Sequence, residues 1–319
     1  MRQEFCRTLL EFSACRELVF LTGDLGFKAL EPLSQAMGSR FVNAGIAEQN
    51  MVGVAAGLAK GGLRPWVYSI APFLYARALE QIRNDVCFHN LPVVLVGNGG
   101  GYGYGVMGCT HHSLEDYGVL LTLPNMRVYV PAFDSDLQSI ICGLMKVNHP
   151  AYLRLGLSEQ PACLDLVPYA PWRHVLAGDG PTVAFVGPLA GNTLDAIRRS
   201  GMNADVWLIS ELPFDRLSDE FVASVRTSGY LLVVEEHVTV GGFGQMLAYA
   251  LLEAGVRPAR FVHRSALGYI SGLYGSQMFH RKECGLDSAS ILAELSDAVR
   301  PGGKHCQFKQ KSNDSRDPY

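Results

Sequence analysis

Short, continuously apolar runs alternate along this chain with segments in which apolar residues recur every three or four positions. That alternation predicts an α/β fold with mostly parallel sheets, because parallel strands are buried on both faces and are joined by helical crossovers. LVFLT, residues 18–22, reads as a buried strand behind an amphipathic opening helix. A short strand over 41–43 leads to an Ala/Gly-rich helix over about 46–60, a strand over 65–69 and a helix over about 73–87. PVVLVG, residues 92–97, is an apolar strand that runs into a glycine-rich loop. A helix over 114–121, a strand over 126–130, a helix over 134–147 and a strand over 151–155 complete a first unit, residues 1–157.

Residues 158–177 lose this periodicity and carry Pro161, Pro168 and Pro171, which predicts an interdomain linker. A second α/β unit over 178–303 opens on the strand TVAFVG, passes a helix near 193–200 and reaches the strands DVWLIS and YLLVVEE. The polar, aperiodic stretch 304–319 is expected to be a disordered tail. The expected fold class is therefore two parallel-sheet α/β domains in tandem, and a length of 319 residues suits two domains.

Composition narrows the function. Apolar residues make up 48% and charged residues 18%, which excludes a disordered or collagen-like chain. Lys plus Arg is 27 against 30 for Asp plus Glu, so the basic excess that nucleic-acid binding needs is missing. The 8 cysteines form no CxxC pair and fit neither a zinc site nor a disulfide framework. No apolar run approaches the ~20 residues of a membrane span, and the first residues do not read as a secretory signal. The expected setting is cytoplasmic and reducing, with neither nucleic acid nor membrane as partner.

Candidate chemistry begins with NAGIAEQNMVGVAAGLAK, residues 43–60, in which Glu48 stands in the first turn of a helix of small residues. Taken alone this is a buried helix whose acid is favoured by the helix dipole. Further stretches follow in order: FLYARALEQIRND, GCTHHSLEDYGVL, LPNMRVYVPA, AYLRLG and VVEEHVTVGGFGQMLAYAL. As a set these stretches resemble the transketolase family of thiamine diphosphate enzymes, specifically a pyrimidine-binding domain followed by a transketolase C-terminal domain. In extent the chain is similar to the small subunits of split transketolases.

The resemblance implies a role for each matched residue. Glu48 matches the acid that hydrogen-bonds N1′ of the cofactor, favouring the imino tautomer whose 4′ nitrogen is the cofactor's own base. Gly45, Ile46 and Ala47 beside it bring no competing charge. Phe73 matches the aromatic that stacks on the aminopyrimidine, with Tyr75 as the alternative because the register is ambiguous. Arg77 is either a substrate contact or part of a surface salt bridge. Arg154 matches an arginine that binds a substrate phosphate, which a guanidinium can do bidentately; a structural ion pair is the other reading. His111 matches a histidine that hydrogen-bonds the substrate beside the reacting carbon, and His112 adds a second imidazole for substrate binding.

Two positions depart from the family's pattern. Met107 stands where an Asp is usual, four residues before His111, and Gly99 stands where a His is usual. Both usual groups read sugar hydroxyls, so a non-standard acceptor is expected. Gly178, Asp179 and Gly180 spell the start of the family's diphosphate motif, but Ala204 after Asn203 breaks it, and the reading here is a turn before a strand. The diphosphate-binding domain and its Mg²⁺ ligands are then expected on an N-terminal partner subunit, in an α2β2 heterotetramer acting on small sugar substrates. The alternatives are the β subunit of a 2-oxo acid dehydrogenase E1 component and a non-catalytic scaffold relative.

Overall fold

The computed structural model describes residues 1–26, 29–161 and 167–299. Twelve strands in these residues form two sheets. They are β1 (Leu18–Thr22), β2 (Phe41–Asn43), β3 (Arg64–Ile70), β4 (Val94–Asn98), β5 (Arg127–Tyr129) and β6 (Ala151–Leu155), then β7 (Trp172–Leu176), β8 (Thr182–Val186), β9 (Asp205–Ile209), β10 (Glu211–Leu212), β11 (Tyr230–Val238) and β12 (Arg260–Ala266). The first sheet has the order β10-β5-β6-β4-β3-β1-β2 and the second β12-β11-β8-β9-β7. Each is parallel except for one antiparallel edge strand, β10 against β5 and β7 against β9.

Alternation along the strands explains the layering. In β1, Val19 and Leu21 join one apolar cluster with Ala55, Ala56 and Ala59 of the helix Glu48–Lys60. Leu18 and Phe20 face the opposite way and join Phe5 and Leu9 of the helix Arg2–Leu10. Both faces of the strand are thus buried, as its unbroken apolar run requires. The first cluster continues across to Ala184, Ile209 and Val233, so the two sheets share core.

Three expectations are corrected. The helix expected over 73–87 is broken into Ala71–Tyr75, a turn over 76–78, the short helix Leu79–Gln81 and a π-helical turn, Ile82–Cys87. Its wider i→i+5 bonding, as in Phe88 N–H to the Arg83 carbonyl at 3.0 Å, lets one helical stretch change direction. The expected linker 158–177 is not wholly irregular, because β7 occupies its last part and closes the second sheet. Conversely, β10 leaves the second unit and pairs with the first sheet, Glu211 opposite Tyr129 and Leu212 opposite Val128. Residues 162–166 of the linker, residues 300–303 and the tail 304–319 lie outside the described residues. Among the described residues no helix is long and apolar enough to cross a membrane.

The strand β7 also carries the side chain that ties the halves together. Arg173 donates from Nη1 to Asp136 Oδ1 at 2.8 Å and from Nη2 to Oδ2 at 2.9 Å, with both residues buried. Asp136 opens the helix Asp136–Leu144 of the first unit and also accepts the Ala132 and Phe133 N–H groups, each at 3.0 Å. Arg173→Met is expected to leave Asp136 buried without its counter-charge and to cost about 3–5 kcal/mol. Urea unfolding followed by tryptophan fluorescence reads this as a large fall in midpoint. Arg173→Lys should recover only part of it, since an ammonium cannot form the two-pronged contact.

Candidate active site

The C-terminal ends of β4, β3 and β2 lie along one edge of the first sheet, with β1 between β3 and β2, and the residues that follow these three strands meet there. In parallel α/β sheets this is the edge at which ligands bind, because loops and helix N-termini converge on it. After β2 comes Glu48, the first residue of its helix, where the backbone dipole favours a negative charge. Glu48 is only 6% exposed, although Ile46 two residues earlier is 85% exposed. After β3 come Phe73 and Arg77, on either side of the end of the short helix Ala71–Tyr75. After β4 comes the loop that carries His111.

These side chains form one continuous cluster. Arg77 Nη1 donates to Glu48 Oε1 at 3.0 Å, and its guanidinium carbon lies 3.9 Å from the centroid of the Phe73 ring. Phe73 meets the His111 ring edge-on at 5.1 Å between centroids, and His111 in turn meets Tyr104 at 5.7 Å. Thr110 Oγ1 lies 2.9 Å from His111 Nδ1, leaving Nε2 as the ring's other polar atom. Asn98 Nδ2 donates to the Tyr104 hydroxyl at 2.7 Å, and burial pushes that phenol above its ordinary pKa. The Glu48 carboxylate is buried at the back while the Arg77 side chain remains 46% exposed at the front.

Three of the expected site residues lie elsewhere. Tyr75 is buried and donates to Glu115 Oε2 at 3.2 Å, so of the two aromatic candidates it is Phe73 that stands beside Glu48's partner. His112 is buried next to His111 but turned away: its Nε2 lies 2.7 Å from the Gly105 carbonyl and its Nδ1 2.8 Å from the Tyr269 hydroxyl. With both nitrogens engaged, and burial lowering its pKa so that the ring stays neutral, it offers no polar atom to a substrate.

Arg154 is likewise committed to the fold. Its Nε donates to Asp116 Oδ2 at 2.8 Å, and its Nη2 donates to the Ser113 carbonyl at 2.7 Å and the Glu236 carbonyl at 3.0 Å. Of the two readings the ion pair with Asp116 is present, and through Nη2 the buried guanidinium supports the loop from beneath.

The two departures in the loop acquire physical content. Gly99 has φ of +80°, and a Cβ there would fall 2.1 Å from Tyr104 Cε2. The space a side chain at 99 would take is filled by the Tyr104 ring, a residue that sequence reasoning passed over although the repeated Gly-Tyr of GGGYGYG was a signal for it. Met107 lies on the single 3₁₀ turn Gly105–Met107 and is exposed. The Gly178–Gly180 turn is the strand entry expected of it: Gly180 N–H donates to the Asn203 carbonyl at 2.7 Å, and a Cβ there would meet that oxygen at 2.3 Å.

The chain has relatives among known proteins. Residues 10–160 match the family model described as transketolase, pyrimidine binding domain. An apulose-4-phosphate transketolase subunit of Actinobacillus succinogenes is 32% identical over 270 residues, covering 82% of this chain and 86% of that one. The 1-deoxy-D-xylulose-5-phosphate synthase 1 of Geobacter metallireducens is 33% identical over 278 residues, which cover 83% of this chain but only 43% of that protein. Among solved structures, a split gene transketolase described as an inactive beta4 tetramer superposes with a TM-score of 0.78 at 28% identity, covering 93% of this chain and 97% of that one. With Glu48, Phe73 and His111 gathered at one sheet edge and these relatives spanning both units, the chain belongs to the transketolase family.

Proposed function

We propose that this chain is the C-terminal subunit of a split, thiamine diphosphate-dependent transketolase-like enzyme that transfers a two-carbon ketol unit between carbohydrate-derived substrates. The observation that carries the reading is the pairing of a buried carboxylate, Glu48, with an adjacent aromatic face, Phe73, on a lip open to one side. The family implies the cofactor, and the residues present fit its aminopyrimidine half: an acid to hold a ring nitrogen and a flat apolar surface to hold the ring. Bound there, thiamine diphosphate would supply the nucleophilic carbon and its own base. Glu48 would share a proton with the ring once Arg77 has given way, and its burial keeps water from that hydrogen bond.

Arg77 already makes both kinds of contact, donating to the carboxylate and lying flat on the ring of Phe73. Its exposure allows it to yield these surfaces. His111 sits at the rim and presents an imidazole that can donate to a developing alkoxide. Among the described residues no three His, Cys, Asp or Glu side chains are grouped to hold a metal ion. In this reading the Mg²⁺ ligands and the diphosphate site come from a partner subunit, in an α2β2 assembly. The homologous beta4 tetramer being inactive supports a requirement for a second kind of chain.

The chain alone should bind thiamine diphosphate and Mg²⁺ weakly or not at all in calorimetry, and should bind them once its partner is added. Tight Mg²⁺-dependent binding by the chain alone would overturn the split-enzyme reading. In the assembled enzyme, Glu48→Gln should leave assembly intact and slow C2 hydrogen exchange of the cofactor by about 10²–10⁴-fold, the usual range for losing acid–base help. A near-normal exchange rate in that variant would remove Glu48 from the role.

The loop bears on substrate choice. With Met107 exposed at the rim and Tyr104 filling the space at Gly99, two hydroxyl-reading groups are absent, and the reading is an acceptor other than a simple aldose phosphate. Relatives named for apulose 4-phosphate and 1-deoxy-D-xylulose 5-phosphate support it. The double change Gly99→His with Tyr104→Ala should raise kcat/KM for ribose 5-phosphate relative to deoxy and keto sugars by about one to two decades, the worth of one buried polar contact, and Met107→Asp, at an exposed position, by less. Gly99→His alone should fail, because the Tyr104 ring stands in its place.

A further inference from the structure

The loop that carries His111 has little of its own to hold it. Six of the ten residues 99–108 are glycine, and the segment has one 3₁₀ turn and no other regular element until the helix Asp116–Leu120. Glycine loses more conformational freedom on ordering than any other residue, so such a loop must be fastened from outside. The first unit holds its start through the Leu155 carbonyl and its end through Arg154, and the second unit holds its middle.

We propose that Glu236, in β11 of the second sheet, is a positioning residue that sets this loop and, through it, His111. Its carboxylate is buried between the units. Oε1 accepts the Tyr102 backbone N–H at 2.7 Å and Gln277 Nε2 at 2.9 Å, and Oε2 accepts Arg281 Nε at 2.7 Å. Oε1 therefore joins the loop to the helix Gln277–Glu283, and Oε2 is anchored to the same helix. The pairing with Arg281 is what makes a buried charge tolerable at this point.

The sequence of the loop is fitted to this carboxylate. Gly101 has φ of +66°, and a Cβ there would come within 2.6 Å of Glu236 Cδ. Tyr102 then enters the apolar cluster of the second unit, stacks on His280 at 4.8 Å and donates its hydroxyl to the Gly268 carbonyl at 2.7 Å.

The hold is passed along the loop by a two-way bridge. Gly101 N–H donates to the Ser113 carbonyl at 2.8 Å, and Ser113 N–H donates to the Gly101 carbonyl at 2.9 Å. Fixing residues 101 and 102 thus fixes residue 113, two positions from His111. The inference that the loop is clamped stands on these contacts; only its consequence for turnover rests on the reading of the preceding subsection.

Hydrogen–deuterium exchange on the full chain tests it. Glu236→Ala should speed exchange of peptides spanning residues 99–113 by roughly 10–100-fold, the effect of losing a hydrogen bond to a charged group, while peptides from β1 and β3 keep their rates. Glu236→Gln, whose amide oxygen can still accept from Tyr102, should restore most of the protection and return the His111 imidazole resonances to their wild-type positions. If Glu236→Ala does not fold, the double change Glu236→Met with Arg281→Met removes the acceptor without stranding a charge and should speed the same peptides.

Unchanged loop exchange in a folded variant lacking the acceptor, or no recovery in Glu236→Gln, would overturn the proposal. In the assembled enzyme, kcat should fall in Glu236→Ala and recover in Glu236→Gln. Absence of cofactor C2 exchange in the assembled wild type would count against the thiamine reading and leave the clamp standing on the loop data.

Discussion

A carboxylate removed from water has to be met by donors, and this protein places four of them where its two sheets meet. Asp116, Asp136, Glu235 and Glu236 are all buried. Asp136 is met by Arg173 from the other unit, Glu236 by the Tyr102 N–H and Arg281, and Glu235 by Tyr117, His263 and the Phe243 and Gly244 N–H groups. Asp116 is met by Tyr152 and by Arg154, which reaches on to the Glu236 carbonyl. Apolar surface can slide by a fraction of an ångström with little penalty, whereas a buried ion pair loses most of its stabilisation when its geometry fails. These pairs therefore hold the two units in one arrangement, and the apolar clusters between them supply the bulk of the attraction.

That arrangement explains the contrast between the back and the front of the site. Behind His111 the loop is held by Glu236, Arg154 and the bridge between Gly101 and Ser113. Ile46, two residues before Glu48, and Val106 and Met107 in the loop are exposed apolar side chains.

Strands β1, β3, β4 and β6 are legible in the sequence because each is a short run of large apolar residues, buried on both faces. Strand β7 is not, because it is an antiparallel edge strand with one face open, next to three prolines, and β10 is only two residues long. Glu48 is legible because a lone acid before a run of small residues marks a helix start, whatever its chemistry. Arg154 is less legible for the opposite reason. A guanidinium at a strand end announces an anion, but which anion depends on Asp116, 38 residues earlier in the chain and brought close only by the fold. Tyr104 escaped because its role is to fill the space that Gly99 leaves, and a pattern of glycines does not say which aromatic covers which gap.

The pairs at the interface and the pair at the mouth are built differently, and the difference suits their tasks. Arg173 and Asp136 are both buried, so neither can leave without stranding the other. At the mouth only Glu48 is buried, while Arg77 is largely in water. A half-exposed ion pair contributes about 0–1 kcal/mol after screening and the ordering of its side chains, and the helix N-terminus stabilises Glu48 without Arg77. Arg77 can therefore give way to another donor at small cost, and the Phe73 ring is uncovered by the same movement. A carboxylate that is kept out of water, yet holds its cationic partner only loosely, can exchange one hydrogen-bond donor for another without disturbing the fold around it.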